Sequence, residues 1–262
     1  MKLMLRGLRS SVICLFGILS CQNKEDAEIR LSNTFTVKSN DLIKQGKYDS
    51  AFLFADRAIQ LYSSNFVAYN NRAFAEVMMN FPQEAIISDY LKSLSIKADY
   101  DIALYSFTNY LYSIKKYDSC IIYSKKFLLS SSQAETKKVI NILSIKGESE
   151  YFKNDFSNAS NDLLRALSLD SANKGVHKVL ADCYLKTKKT DIAISHYSIA
   201  IKLDPNYFQA YLGRGLAYEA AGKLDLARQD FKKALNIKPD LEDIYNSNSS
   251  ILAEQIRLDR RK

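Results

Sequence analysis

Apolar and polar positions along this chain follow two regimes. The first is the one long apolar run, SVICLFGILSC from Ser11 to Cys21, which gives way at once to the polar stretch QNKED. That run is too short to cross a bilayer as a helix, which takes about 20 apolar residues. The second regime fills the rest of the chain, where small and aromatic residues return every 34 positions. Lys174 to Tyr207 aligns without a gap on Phe208 to Leu241. Ala181 falls on Gly215, Tyr184 on Tyr218, Ala193 on Ala227, Tyr197 on Phe231, Ala200 on Ala234 and Pro205 on Pro239.

This spacing resembles the tetratricopeptide repeat (TPR), a pair of antiparallel helices. The resemblance implies close helix approach at the small residues of repeat positions 8, 20 and 27. It also implies a proline at position 32 that ends the second helix, since proline cannot continue the hydrogen-bond ladder. Four earlier windows keep the frame. Ile140 to Asn173 carries Gly147, Phe156, Ala159 and Ala166, and Ser32 to Asn65 carries Gly46, Tyr48, Ala51 and Ala58. Phe66 to about Tyr100 has Tyr69, Ala73 and Ala85 in frame, but its DYLKSL half fits only with one inserted residue. Asp101 to about Ala134 places Thr108, Cys120 and Phe127 at the small positions and holds by spacing and by its KKYDSC turn.

The expected fold is therefore all-α, a TPR superhelical solenoid of about six helix pairs over residues 32–241, in repeats near 32–65, 66–100, 101–134, 140–173, 174–207 and 208–241. Extra residues in SSSQAETKK separate the third and fourth repeats, and Ser132 with Glu135 reads as a capping box, so the fourth repeat's first helix should begin early. Beyond Leu241, apolar residues at Ile244, Ile251, Leu252, Ile256 and Leu258 predict a capping helix over 242–262, needed because the last repeat would otherwise expose its apolar face. Its basic end, Arg257 to Lys262, reads as solvated.

Composition agrees with mostly helix and short connections, with 47% hydrophobic residues, three prolines and eight glycines. Lys2, Arg6 and Arg9 precede the apolar run with no acid, in the order of a secretory signal. The segment resembles a bacterial lipoprotein signal, with Ile18, Ser20 and Cys21 in the lipobox places and Leu19 where a smaller residue is commoner. That implies a signal peptide over 1–20, a lipid-bearing Cys21 (acyl chains such as palmitate) and a tether over 21–31. An ordinary signal with an incidental cysteine is the alternative. Removing three basic residues takes the formal charge from +8 to about +5, too mild to imply nucleic acid.

Catalytic constellations are not apparent. His177 and His196 are the only histidines, without a metal-binding motif, at positions where rings serve packing. Ser113 to Lys116 matches an S-x-x-K at a turn with no K-T-G, and Gly213-Arg214-Gly215 falls inside a helix, not after a strand. Cys120 and Cys183 are expected to be small core residues too far apart to pair. No enzyme activity, cofactor, metal or small-molecule substrate is expected.

By the TPR resemblance, positions 2, 5, 9, 12 and 13 of each repeat face a concave groove. These predict a lining of Asn70, Phe74, Tyr105, Asn109, Tyr112, Glu148, Tyr151, Lys178 and Asp182, with Met78 and Phe152. Asparagine supplies donor and acceptor for an extended peptide backbone, and tyrosine supplies contact area at small entropy cost. Any of the aromatics equally reads as interhelical core. The cations of TPR proteins that grip acidic chaperone termini are absent from Thr36 and Asn40, Asn70 and Phe74, and Tyr105 and Asn109. The expected function is a membrane-anchored adaptor or assembly factor of the bacterial envelope binding a polypeptide, with a pilot lipoprotein for pilus or secretion-pore assembly as the alternative. An envelope enzyme or enzyme subunit is the alternative of another class. Gln22 after Cys21 resembles outer-membrane sorting with the array facing the periplasm. NKED resembles a surface-export tether, which leaves the cell surface open.

Overall fold

The structure, a computed structural model, describes residues 2–130 and 134–239, with side chains from residue 23 onward. The expected capping helix at 242–262 and Ser132 lie outside the described residues. Among the described residues there are twelve helices and no strand. Taken two by two along the chain, they are α1 (Lys2–Lys44) and α2 (Tyr48–Leu61), α3 (Phe66–Met78) and α4 (Gln83–Ile96), and α5 (Asp101–Ser113) and α6 (Tyr117–Ser130). The pairs α7 (Thr136–Phe152) with α8 (Phe156–Leu169), α9 (Lys174–Lys186) with α10 (Thr190–Leu203), and α11 (Phe208–Ala220) with α12 (Leu224–Ile237) follow. The chain divides into two compact units, Met1–Tyr110 and Leu111–Lys262. Within the first, α1 packs on α2, α2 on α3 and α3 on α4; within the second, each of α6 to α12 packs on the next.

One turn closes all six pairs. The fifteenth residue of every repeat has positive φ: Gly46, Asn80, Lys115, Asn154, Lys188 and Gly222, between 56° and 72°. The next residue donates its N–H back to the carbonyl of position 11, as in Lys47 to Leu42 at 2.9 Å and Lys223 to Tyr218 at 2.8 Å. This left-handed cap satisfies carbonyls that the end of a helix leaves free, and reverses the chain in three residues. Glycine adopts it without steric cost; lysine does not. At the other end of the pairs, Asp204 is extended before Pro205, as the proline ring requires.

The residue expected to be inserted in the second repeat lies after this turn. Asn80 keeps its place, and Phe81-Pro82 lengthens the connection so that α4 starts one residue late, with Pro82 as its N-cap. The fourth repeat's first helix does begin early, at Thr136, but its N-cap is Glu135, which makes no side-chain capping hydrogen bond. Residues 23–31, expected as a tether, continue α1, where KEDAEIRL holds neither proline nor glycine and Lys24 lies 4.0 Å from Glu28.

The close-approach positions are sealed. Ala51, Ala58, Ala73, Ala159, Ala166, Ala181, Ala193, Ala200, Ala227 and Ala234 have no exposed surface, and neither do Thr108, Cys120 and Phe127, which replace the small residues in the third repeat. Gly213 and Gly215 lie inside α11, where a Cβ would stand 2.4 Å from the rings of Tyr197 and Phe231 respectively. Glycine here makes room for aromatic rings and serves no phosphate loop. No described helix is long and apolar enough to cross a membrane.

Candidate functional site

In the second unit the first helices of the last three repeats, α7, α9 and α11, place their groove-facing positions side by side. Two adjoining clefts, of about 310 Å³ and 340 Å³, share Glu148 of α7, Lys178 and Val179 of α9, and Gln209 of α11. Ser144, Asn173 and Tyr207 line the first; Tyr151, Phe152, Asp182 and Leu216 line the second. Every groove-facing residue predicted in these repeats therefore reaches a common cleft.

Its charges are arranged rather than scattered. Lys178 Nζ stands 2.7 Å from Asp182 Oδ2, one helical turn on. The hydroxyl of Tyr197, which is buried, donates to Asp182 Oδ1 at 2.5 Å. Asp182 is thus held from two sides, and its pairing fixes the lysine against the cleft wall. Glu148 accepts a hydrogen bond from the hydroxyl of Tyr112; burial first, and this carboxylate second, push the phenol of Tyr112 above its ordinary range. Burial likewise raises Tyr207, against the opposing charge of Lys178.

Aromatic rings border Glu148. Tyr117 stacks on Phe152, with centroids 4.7 Å apart and planes 17° from parallel, and Tyr151 meets Phe152 edge-on at 5.6 Å. Tyr112 lies 6.4 Å from Tyr117. Gln209, Leu216, Tyr207, Tyr197 and Tyr117 were not among the predicted residues. The positional rule extended to the sixth repeat yields Gln209 and Leu216. The three tyrosines lie outside the first-helix positions, and only packing brings them in.

The predicted residues of the first unit are less open. Asn70 is 4% exposed, and its Oδ1 has no hydrogen-bond partner. Phe74 packs toward Tyr48, with centroids 6.4 Å apart, while Met78 is exposed. Asn109 donates its amide to the carbonyl of Tyr105 one turn earlier, at 2.8 Å, which commits that donor to its own helix.

Cys120 and Cys183 are buried and form no disulfide, and burial with the nearby Asp182 charge pushes the Cys183 thiol up to about 12, the wrong direction for a nucleophile. No group of three or more metal-capable side chains occurs among the described residues. Ser113 closes α5 at a turn, as its sequence context implied.

Residues 180–242 match the sequence profile of the tetratricopeptide repeat. The chain is 31% identical over 99 residues to mouse (Mus musculus) RNA polymerase II-associated protein 3, covering 38% of this chain and only 15% of that protein's length. Among solved structures it is similar to YrrB, a TPR protein with an unusual peptide-binding site, at TM-score 0.60 and 20% identity over 71% of this chain and 93% of that one. It is similar also to PilW, a widely conserved type IV pilus biogenesis factor, at TM-score 0.63 and 17% identity over 85% and 97% of the two chains. The fold is the all-α TPR solenoid that the residue spacing implied.

Proposed function

We propose that this chain is a protein–protein interaction module, an adaptor or assembly factor that holds a polypeptide in the cleft of its second unit and is tethered to a membrane through lipid on Cys21. The observation that carries the first half is the convergence of Glu148, Tyr151, Lys178 and Asp182 from separate repeats on one cleft with fixed polar groups and exposed aromatic surface. Such a surface suits an extended peptide, whose backbone needs donors and acceptors and whose side chains need apolar contact. The second half rests on the order of Lys2, Arg6 and Arg9, the apolar run, and Ile18, Ser20 and Cys21. Each buried acyl methylene contributes about 0.8 kcal/mol, so more than one chain gives stable attachment. We place the protein in the bacterial envelope, at the outer membrane facing the periplasm, with the cell surface as the alternative.

A second reading, a pilot for pilus or secretion-pore assembly, is favoured by the fold shared with PilW over most of both chains. Crosslinking and pull-down of the intact protein from membranes, beside a Cys21→Ala control, tests these readings together. A partner crosslinked to the cleft and lost with the control's release into the soluble fraction supports the tethered adaptor. Failure of an oligomeric pore to assemble on deletion supports the pilot. An unshifted Cys21→Ala variant rules out the anchor.

A further inference from the structure

We infer that the Glu148 end of this cleft recognises a cationic side chain, lysine or arginine, of an extended polypeptide; the inference rests on the peptide-binding reading above. Four observations converge on that chemistry. First, three of the lysines nearby are already matched. Lys178 closes on Asp182, Lys174 lies 2.5 Å from Asp204, and Lys153 lies 3.1 Å from Asp118. Glu148 forms no ion pair among the described residues, although it lines both clefts.

Second, the contact that Glu148 does make leaves acceptor capacity over. A carboxylate offers about four lone-pair sites, and the hydroxyl of Tyr112 takes one. That hydrogen bond orients the carboxylate without neutralising it. Third, an aromatic platform stands beside it. Phe152 is 48% exposed, yet its ring is fixed by stacking on Tyr117 and by the edge of Tyr151. A ring face is electronegative and attracts cations. This chain uses that attraction elsewhere, with Lys174 Nζ 5.3 Å from the ring centre of Tyr207 and Lys189 Nζ 5.9 Å from that of Tyr184.

Fourth, a carboxylate beside an aromatic face matches a side chain that is apolar along its stem and charged at its tip, which describes lysine and arginine. A neutral or acidic side chain seated there would cover Glu148 without pairing it, at a desolvation cost. The preference is local to Glu148: Lys186, exposed on the last turn of α9 two turns beyond Lys178, also lines the larger cleft and repels a second cation.

A charge-assisted hydrogen bond of this kind supports roughly a tenfold preference for a basic over a neutral residue. The test presents the purified full chain, in detergent, with an immobilised library of randomised nonapeptides and sequences the peptides retained. Wild-type protein should retain a pool enriched about tenfold in lysine and arginine at one position, and the enrichment should fall as salt rises. Glu148→Gln, which keeps shape and removes charge, should retain peptides without that enrichment, and Phe152→Ala should reduce it. Circular dichroism melting confirms that each variant folds. Equal retention of basic and neutral peptides by wild type overturns the inference and leaves the peptide-binding reading standing. Retention of no peptide by a folded wild-type chain overturns both.

Discussion

Arg72 forks onto Asp89 within the second repeat, its Nε 2.6 Å from Oδ2 and its Nη2 2.8 Å from Oδ1, while Nη1 reaches Asp56 of the preceding repeat. The same two repeat positions hold Lys146 with Asp162 in the fourth repeat and Arg214 with Asp230 in the sixth. In the odd repeats those positions carry Lys38 and Phe54, Phe107 and Tyr123, and Leu180 and His196. The ionic tie thus recurs in the even repeats, and the odd repeats do not carry the base and aspartate pair at these positions.

Removing Arg72 leaves the buried carboxylate of Asp89 uncompensated, and removing Asp89 leaves the largely buried Arg72 with Asp56 alone. Arg72→Ala and Asp89→Ala should each destabilise by about 3 kcal/mol in urea unfolding. The double substitution should cost clearly less than the sum of the two, because neither charge then remains. Additive effects would show that the fork contributes nothing of its own.

Glu76 stands at position 11 of its repeat, where Tyr184 and Tyr218 stand in the last two. It is buried with Oε2 unpartnered; burial, then the charge of Asp89, push its carboxyl up to about 7, against the pull of Arg72. The folded chain keeps a proton here that the unfolded chain releases from about pH 4.5 upward, so this group's contribution is complete at low pH and is lost as pH rises through about 7. Glu76→Gln should leave the unfolding free energy nearly unchanged at pH 4.5 and raise it at pH 8, by an amount on the order of 2 kcal/mol. An equal shift at both pH values would contradict the assignment.

The opposite dependence belongs to the fifth repeat. His177 and His196 face each other through their Nδ1 atoms at 3.0 Å, and the carbonyl of Ser171 accepts from His177 Nε2 at 3.1 Å. Burial, then the charge of His177, hold His196 below its ordinary value. Its contribution is present above about pH 6.5 and is lost as pH falls toward the lowered value. Measured in a Glu76→Gln background, wild-type His196 should show a melting temperature that falls from pH 7 to pH 5, and His196→Gln should flatten that slope. An unchanged slope would refute the role of the pair.

Gly215 faces the ring of Phe231 so closely that an added Cβ would stand 2.4 Å from it. Alanine improves helix propensity by about 1 kcal/mol, but overpacking costs about 1–3 kcal/mol. Gly215→Ala should therefore destabilise on balance, and a second change, Phe231→Leu, should recover part of the loss. A stabilised Gly215→Ala would mean that the Phe231 ring moves away freely.

The helical repeats were legible because their signals are local. Most small residues at positions 8, 20 and 27 lie at sites without exposed surface, and the inserted residue of the second repeat could be counted from the frame, but it lies before Ala85, so Ile86 and not Ala85 takes the buried place at position 20. The turns were partly legible: Gly46 marks one, whereas Asn80, Lys115, Asn154 and Lys188 hold the same positive φ with no glycine to announce it. The ionic fork was written in the sequence as a base at position 7 and an aspartate at position 23 of alternate repeats, a period twice that of the repeat itself. The histidine pair had no such signal, since each ring taken alone reads as packing.

Sequence by itself determined the fold, because helix periodicity, close-packing size and turn position are each fixed by residues a few places apart, repeated six times. It also supplied the basis for proposing Cys21 as an attachment point, since that reading depends only on linear order. Tertiary structure decided which groove-facing residues are available. Asn70 and Glu148 occupy equivalent kinds of position, yet one amide is enclosed and the other residue's carboxylate opens onto a cleft. Their difference is set by the neighbours that adjacent helices bring, Tyr112 and Lys178 among them, and no local spacing encodes what lies across a packed interface.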